Sequence, residues 1–122
     1  MSKTVTERDV TLFAEVTGDM NPAHTDEAWA KNTKFGTRIA HGVLSAGLVS
    51  AVLGMKLPGP GTIYMGQQLK FTAPVRFNDT ITAEVEVVEL IENKRLRLKT
   101  TVTNQEGKVV LEGEALVSPP RE

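Results

Sequence analysis

From residue 62 to residue 117 the apolar side chains recur at every second position, and no other feature of the chain constrains its fold as strongly. Ile63, Met65, Leu69 and Phe71 alternate with Tyr64, Gly66, Gln68 and Lys70, and Ile81, Ala83, Val85 and Val87 alternate with Thr82, Glu84 and Glu86. Leu96, Leu98, Thr100 and Val102 then alternate with Arg95, Arg97, Lys99 and Thr101, and a last run carries Val109, Leu111, Gly113, Ala115 and Val117. A period of two sends successive side chains to opposite faces of a strand. Residues 74–79, 92–94 and 104–107 are polar and rich in turn formers, so the runs read as an antiparallel meander wetted on one face.

Such a sheet needs something apolar to cover its dry face. Val43, Leu44, Ala46, Gly47, Leu48, Ala51 and Val52 supply it, because a segment apolar nearly all round reads as a buried helix. Its small residues, Ser45, Ala46, Gly47, Ser50 and Ala51, let a wrapping sheet or a bound molecule come close. The run Leu57-Pro58-Gly59-Pro60-Gly61 ends it. A long helix followed by a one-sided antiparallel sheet predicts an α+β fold in which the sheet wraps the helix.

Upstream, a short strand at residues 3–5 precedes Thr6, which caps a helix bearing Glu7 and Asp9 in its first turn and Val10, Phe13, Ala14 and Val16 on its apolar face. Thr17-Gly18 ends that helix. Asp26 caps a second short helix over 27–31, with Ala28 and Trp29 as inward contacts. The 122 residues suit one domain spanning 1–122. Fourteen Lys+Arg against 15 Asp+Glu give no basic field for nucleic acid. Zero Cys excludes disulfides and thiolate chemistry and suits a reducing cytosol, so a cytoplasmic location is expected. No apolar stretch has the length of a membrane span, and no membrane partner is expected.

The chemistry concentrates in Gly18-Asp19-Met20-Asn21-Pro22-Ala23-His24. Gly18 and Pro22 break any continuous helix, and Asp19 and His24, five apart, would lie on different faces of one. They converge only if the chain loops around Asn21-Pro22, and a converging carboxylate and imidazole make an acid/base pair. The wording resembles the motif of the R-specific enoyl-CoA hydratases, the MaoC-like family of hot-dog proteins, roughly Gly-Asp-x-Asn-Pro-x-His. Gly18, Asp19, Asn21, Pro22 and His24 all match, and the block Arg38-Ile39-Ala40-His41-Gly42 is similar to a second family block. The resemblance extends over roughly residues 7–117. It departs in the shortness of the first strand and in Asn78, which stands where the family often has Gly.

The resemblance implies a hot-dog fold and a hydro-lyase that reversibly hydrates trans-2-enoyl thioesters, carried on CoA or acyl carrier protein, to (R)-3-hydroxyacyl thioesters. It implies that Asp19 and His24 act together on a single water, that Gly42 receives the thioester oxygen, and that sheets join edge to edge in a homodimer or higher homo-oligomer. The assignment to Gly42 also follows from the residues, since this glycine opens the long helix and free N–H groups at a helix N-terminus suit a developing oxyanion. Asn21 would orient the loop or the water, His41 would be a supporting neighbour, and the small residues Ala46, Gly47 and Ser50 would line the acyl pocket. Asp19, His24 and His41 are residue types that also bind iron or zinc, but the resemblance implies no metal and no cofactor. Two rivals remain: a hot-dog thioesterase, which would not need this motif, and a non-catalytic acyl-CoA-binding module, against which the presence of both Asp19 and His24 argues.

Overall fold

A computed structural model describes residues 1–120. The short β1 (Ser2–Thr4) and the four alternating runs, β2 (Ile63–Phe71), β3 (Thr80–Ile91), β4 (Arg95–Thr103) and β5 (Val109–Ser118), form one antiparallel sheet in the order β1-β3-β4-β5-β2. Alternation sets the faces as expected in β4, β5 and the first half of β3, whereas Val87, expected on the dry face, is 43% exposed next to a bulge between Val87 and Glu89. Ile81 and Ala83 of β3, Leu98, Thr100 and Val102 of β4, and Leu111, Ala115 and Val117 of β5 are all buried. The turns use the left-handed backbone where Asn tolerates it, at Asn78 (φ 72°) and Asn93 (φ 67°).

A long helix lies across the buried face, burying Ser45, Leu48, Val49, Val52 and Leu53. Leu53 is 1% exposed, and full burial of such a side chain contributes about 1.5–3 kcal/mol. With this helix cupped by five strands, the fold is the expected α+β hot-dog architecture. The helix is not sealed all round, however. Val43, Gly47, Ser50 and Met55 are exposed, because the sheet covers only one side of it.

In chain order the helices are α1 (Glu7–Thr17), α2 (Pro22–Thr25), α3 (Glu27–Ala30) and the long α4 (Gly42–Met55). Thr6 caps α1 reciprocally: its hydroxyl accepts the Asp9 N–H at 3.2 Å, and Asp9 accepts the Thr6 N–H at 2.9 Å. That Thr6 N–H holds the Asp9 carboxyl below its ordinary value, so the stabilisation is present above the unfolded carboxylate's range and is lost as pH falls through the folded value. Gly18, at φ 78°, ends α1 in the left-handed conformation.

Three further expectations fail. Val16 is 84% exposed, since only Val10 and Ala14, four apart, face the core fully. Ala28 and Trp29, the expected inward contacts, are both exposed, because the one inward position of the four-residue α3 belongs to Ala30. The β2 side chains do not form a dry face: a bulge between Tyr64 and Gly66 breaks their phase, and Ile63, Met65 and Phe71 are exposed on the outermost strand. No helix among the described residues is long and apolar enough to cross a membrane.

Candidate active site

Gly18 releases the chain from α1, and the next six residues fold back on themselves. Asp19 Oδ1 accepts the Asn21 N–H at 3.2 Å, and Asn21 Oδ1 accepts the Ala23 N–H at 3.0 Å, capping α2 with Pro22 in its first turn. Asn21 therefore orients the loop through its side-chain carbonyl. The α2 turn was legible only as a turn at Asn21-Pro22, and it is what brings His24 round to face Asp19.

The second motif block comes alongside by main-chain bonds. The Ile39 N–H donates to the Ala23 carbonyl at 3.1 Å, Ile39 bridges to Arg76, and the Ala40 N–H donates to the Val75 carbonyl at 2.8 Å. Glu27 steadies the approach by accepting from the Thr37 hydroxyl at 2.8 Å and from the Arg38 N–H at 3.3 Å. The Thr37 hydroxyl bond, together with the Arg38 contacts, holds the Glu27 carboxyl below its ordinary value.

The Ile39 carbonyl then decides the state of His24. It lies 2.7 Å from His24 Nδ1, and a carbonyl only accepts, so Nδ1 carries the hydrogen and Nε2 of the neutral ring is a bare lone pair. One ligating atom from each of Asp19, His24 and His41 lies within 4.8 Å of the other two. Two atoms that share one water at about 2.8 Å each, at its tetrahedral angle, stand about 4.6 Å apart. The spacing suits a carboxylate and an imidazole acting on one water molecule.

His41 is buried beside them. Its Nε2 lies 3.1 Å from the Asp19 carbonyl oxygen and 4.0 Å from the Asp19 carboxylate, and its ring packs against those of Phe13 (centroids 4.7 Å apart) and His24 (3.9 Å apart). The two His and one Asp are a set that could take a divalent cation. Yet His41 Nε2, close to the carboxylate, spends its hydrogen on the Asp19 carbonyl and offers no lone pair there.

Gly42 opens α4, and His41 at the N-cap makes no side-chain cap, so the helix's first N–H groups are not satisfied in that way. A Cβ on Gly42 would meet the Phe71 ring at 2.8 Å, which restricts this position to glycine while the ring stays where it is. Of the three residues expected at an acyl pocket, Gly47 lines a groove of about 390 Å³ between α1 and α4, with Leu12, Phe13, Leu44 and Ala51. Ala46 packs against the core, and Ser50 is exposed outside that groove's lining. Three contributors escaped the sequence: the Ile39 carbonyl, Phe13 and Phe71. A main-chain acceptor has no side-chain signature, and both aromatics read as ordinary sheet or helix packing.

Comparison with known proteins bears on the chain as a whole. The family described as "MaoC like domain" matches residues 1–110. The chain is 54% identical over 98% of its length to the (R)-specific enoyl-CoA hydratase of Rhodospirillum rubrum, covering 83% of that protein. It is 53% identical over 99% of its length to the 3-hydroxybutyryl-CoA dehydratase of Methylorubrum extorquens, covering 77% of it. The solved structure of the unliganded R-hydratase PhaJ1 from Pseudomonas aeruginosa superposes with a TM-score of 0.95 at 50% identity, covering all of this chain and 79% of the other. Sequence, fold and near-complete coverage agree, and the chain belongs to the MaoC-like family.

Proposed function

We propose that this chain is a hydro-lyase that adds water across trans-2-enoyl thioesters to give (R)-3-hydroxyacyl thioesters, and that runs the reverse dehydration. Membership of the family and likeness to (R)-specific hydratases support the reaction class. The observation that carries the mechanism is the fixed tautomer of His24, which clusters with the Asp19 carboxylate and whose Nδ1 is taken by the Ile39 carbonyl, leaving Nε2 as the ring's basic nitrogen.

In the hydration direction the Asp19–His24 pair takes a proton from water as the water oxygen bonds to the β-carbon. The electron pair of the double bond moves through the carbonyl to the thioester oxygen, where the N-terminal N–H groups of α4, from Gly42, receive the charge. The proton taken from water is returned to the α-carbon as the enolate collapses. One water is consumed, with its hydroxyl at the β-carbon and its proton at the α-carbon, and no cofactor is required. The test is absorbance at the conjugation band of crotonyl-CoA with free thiol followed in parallel. Loss of absorbance at constant thiol is expected. Thiol release would make the protein a thioesterase, and neither signal would leave it a binding module.

In this reading the acyl chain runs beside α4, and an apolar groove there, next to the Phe13 ring that contacts His41, supports it. Short to medium chains are expected. A Cβ at Gly47 meets nothing within 4 Å, so Gly47→Leu should fold and fill the groove. It is expected to reduce turnover of an eight-carbon enoyl-CoA far more than that of crotonyl-CoA, by an overpacking cost of about 1–3 kcal/mol. Equal loss for both lengths would put the chain on the flank of Ser50, where Ser50→Leu would then discriminate.

A homodimer in one cytoplasmic domain completes the reading. Strand β2 is an open edge with Ile63, Met65 and Phe71 exposed, and such an edge invites pairing with a second copy. Light scattering should give at least twice the chain mass. An active monomer would contradict it. The structure bears equally on CoA and carrier-protein substrates, which parallel kinetics with the two thioesters would separate.

A further inference from the structure

We infer that His41 is the positioning residue of this site, holding Asp19 through the main chain with its Nε2–H and bracing the His24 imidazole with its ring. This rests on the hydratase reading of Asp19 and His24 above. His41 is 2% exposed, and the Asp19 carbonyl 3.1 Å from Nε2 can only accept, so the hydrogen sits on Nε2 and Nδ1 is bare. Among the described residues Nδ1 has no hydrogen-bond partner. A buried nitrogen without a partner costs stability. The position costs stability a second time, because it is the N-cap of α4, where Ser, Thr, Asp or Asn would cap the helix and His41 does not. A residue chosen for stability alone would be neither unpaired nor a poor cap.

What the position provides instead is constraint on both reacting groups. Asp19 follows a left-handed glycine, and its carboxylate is half exposed, with one local bond from the Asn21 N–H. The His41 bond ties that loop to the start of α4, the same helix end that is to receive the thioester oxygen. His24 is held at Nδ1 by the Ile39 carbonyl, which still permits the ring to tilt about that bond. The His41 ring, 3.9 Å away and itself backed by Phe13 at 4.7 Å, limits the tilt. Direct chemistry is not assigned to His41: Nε2 is 4.0 Å from the carboxylate, beyond hydrogen-bond reach, and is engaged elsewhere.

The test uses the full chain with two variants that separate the donor from the ring. His41→Phe keeps an aromatic ring without the donor, and His41→Gln keeps an N–H donor of similar reach without the ring. With crotonyl-CoA, His41→Phe is expected to lower kcat by about 10²-fold, the effect of misplacing a reacting group by an ångström, with KM within about twofold. His41→Gln should recover roughly tenfold of that loss. Asp19→Asn combined with His41→Phe should lose little more than Asp19→Asn alone, because one residue acts through the other. If His41→Phe fails to fold, His41→Gln alone decides: loss of the ring against His24 is expected to lower kcat by about tenfold with KM within about twofold, and unchanged kcat would overturn the inference. Unchanged kcat in His41→Phe, absence of rescue by Gln, or additive losses in the double variant would overturn the inference. Retained activity in Asp19→Asn alone would instead overturn the dyad, so the two failures are distinct.

Discussion

Asp19→Asn and His24→Ala are each expected to lower crotonyl-CoA hydration by about 10²-fold or more, the usual worth of a positioned acid or base. The structure explains why folding should survive. The Asp19 carboxylate is half exposed and its hydrogen bond, from the Asn21 N–H, lies within its own loop, so Asn in its place keeps an oxygen for that N–H. A change of this kind shifts stability by about 0.5 kcal/mol or less. His24→Ala gives up the bond to the Ile39 carbonyl and should cost about 1 kcal/mol, a small part of a domain's stability. Rates measured beside thermal unfolding curves separate the two effects. Either variant retaining hydration within a few-fold of wild type would remove that residue from the chemistry.

The largest structural effect is expected at a glycine far from the motif. In Gly113→Ala the new Cβ would lie 1.8 Å from the Gln68 carbonyl oxygen and 2.8 Å from its carbon. Gly113 is paired with Leu69 on one side and Thr100 on the other, so both obstructing atoms belong to a strand held in register. Main-chain atoms cannot rotate aside as a side chain can, and β2 must separate from β5. Ordinary overpacking costs about 1–3 kcal/mol, and this substitution is expected at or above the top of that range. It should also lower activity, because β2 carries Phe71 against Gly42. Urea unfolding is the measurement, and a wild-type midpoint would show that β2 is not seated as described.

What was legible in the chain follows from how local each determinant is. The meander was readable because alternation depends on one strand at a time, and Thr6, Gly18, Asp26 and Asn78 were readable because caps and left-handed turns depend on the residue itself. The convergence of Asp19 and His24 was readable as a condition, since two helix breakers permit a loop around Asn21-Pro22, and it was the resemblance of the motif to a known family that made the loop an expectation. Trp29 and Val16 were misplaced because inward position on a short helix depends on what the rest of the chain presents to it. The exposure of β2 was missed because its pattern looks like a dry strand, and only the sheet order reveals that it is an edge with a bulge. The Ile39 carbonyl that fixes the His24 tautomer left no trace, since every residue has a carbonyl and only the fold says which one is aimed at the ring.

Asp19 and His24, acting as a pair, are expected to direct one water to one face of the bound enoyl thioester. The most direct measurement is the configuration of the 3-hydroxybutyryl product formed from crotonyl-CoA, resolved by chiral chromatography after hydrolysis. The (R) product alone is expected, formed by the wild type and reduced by about 10²-fold in Asp19→Asn. An (S) or racemic product, or (R) product formed at an undiminished rate by Asp19→Asn, would contradict it.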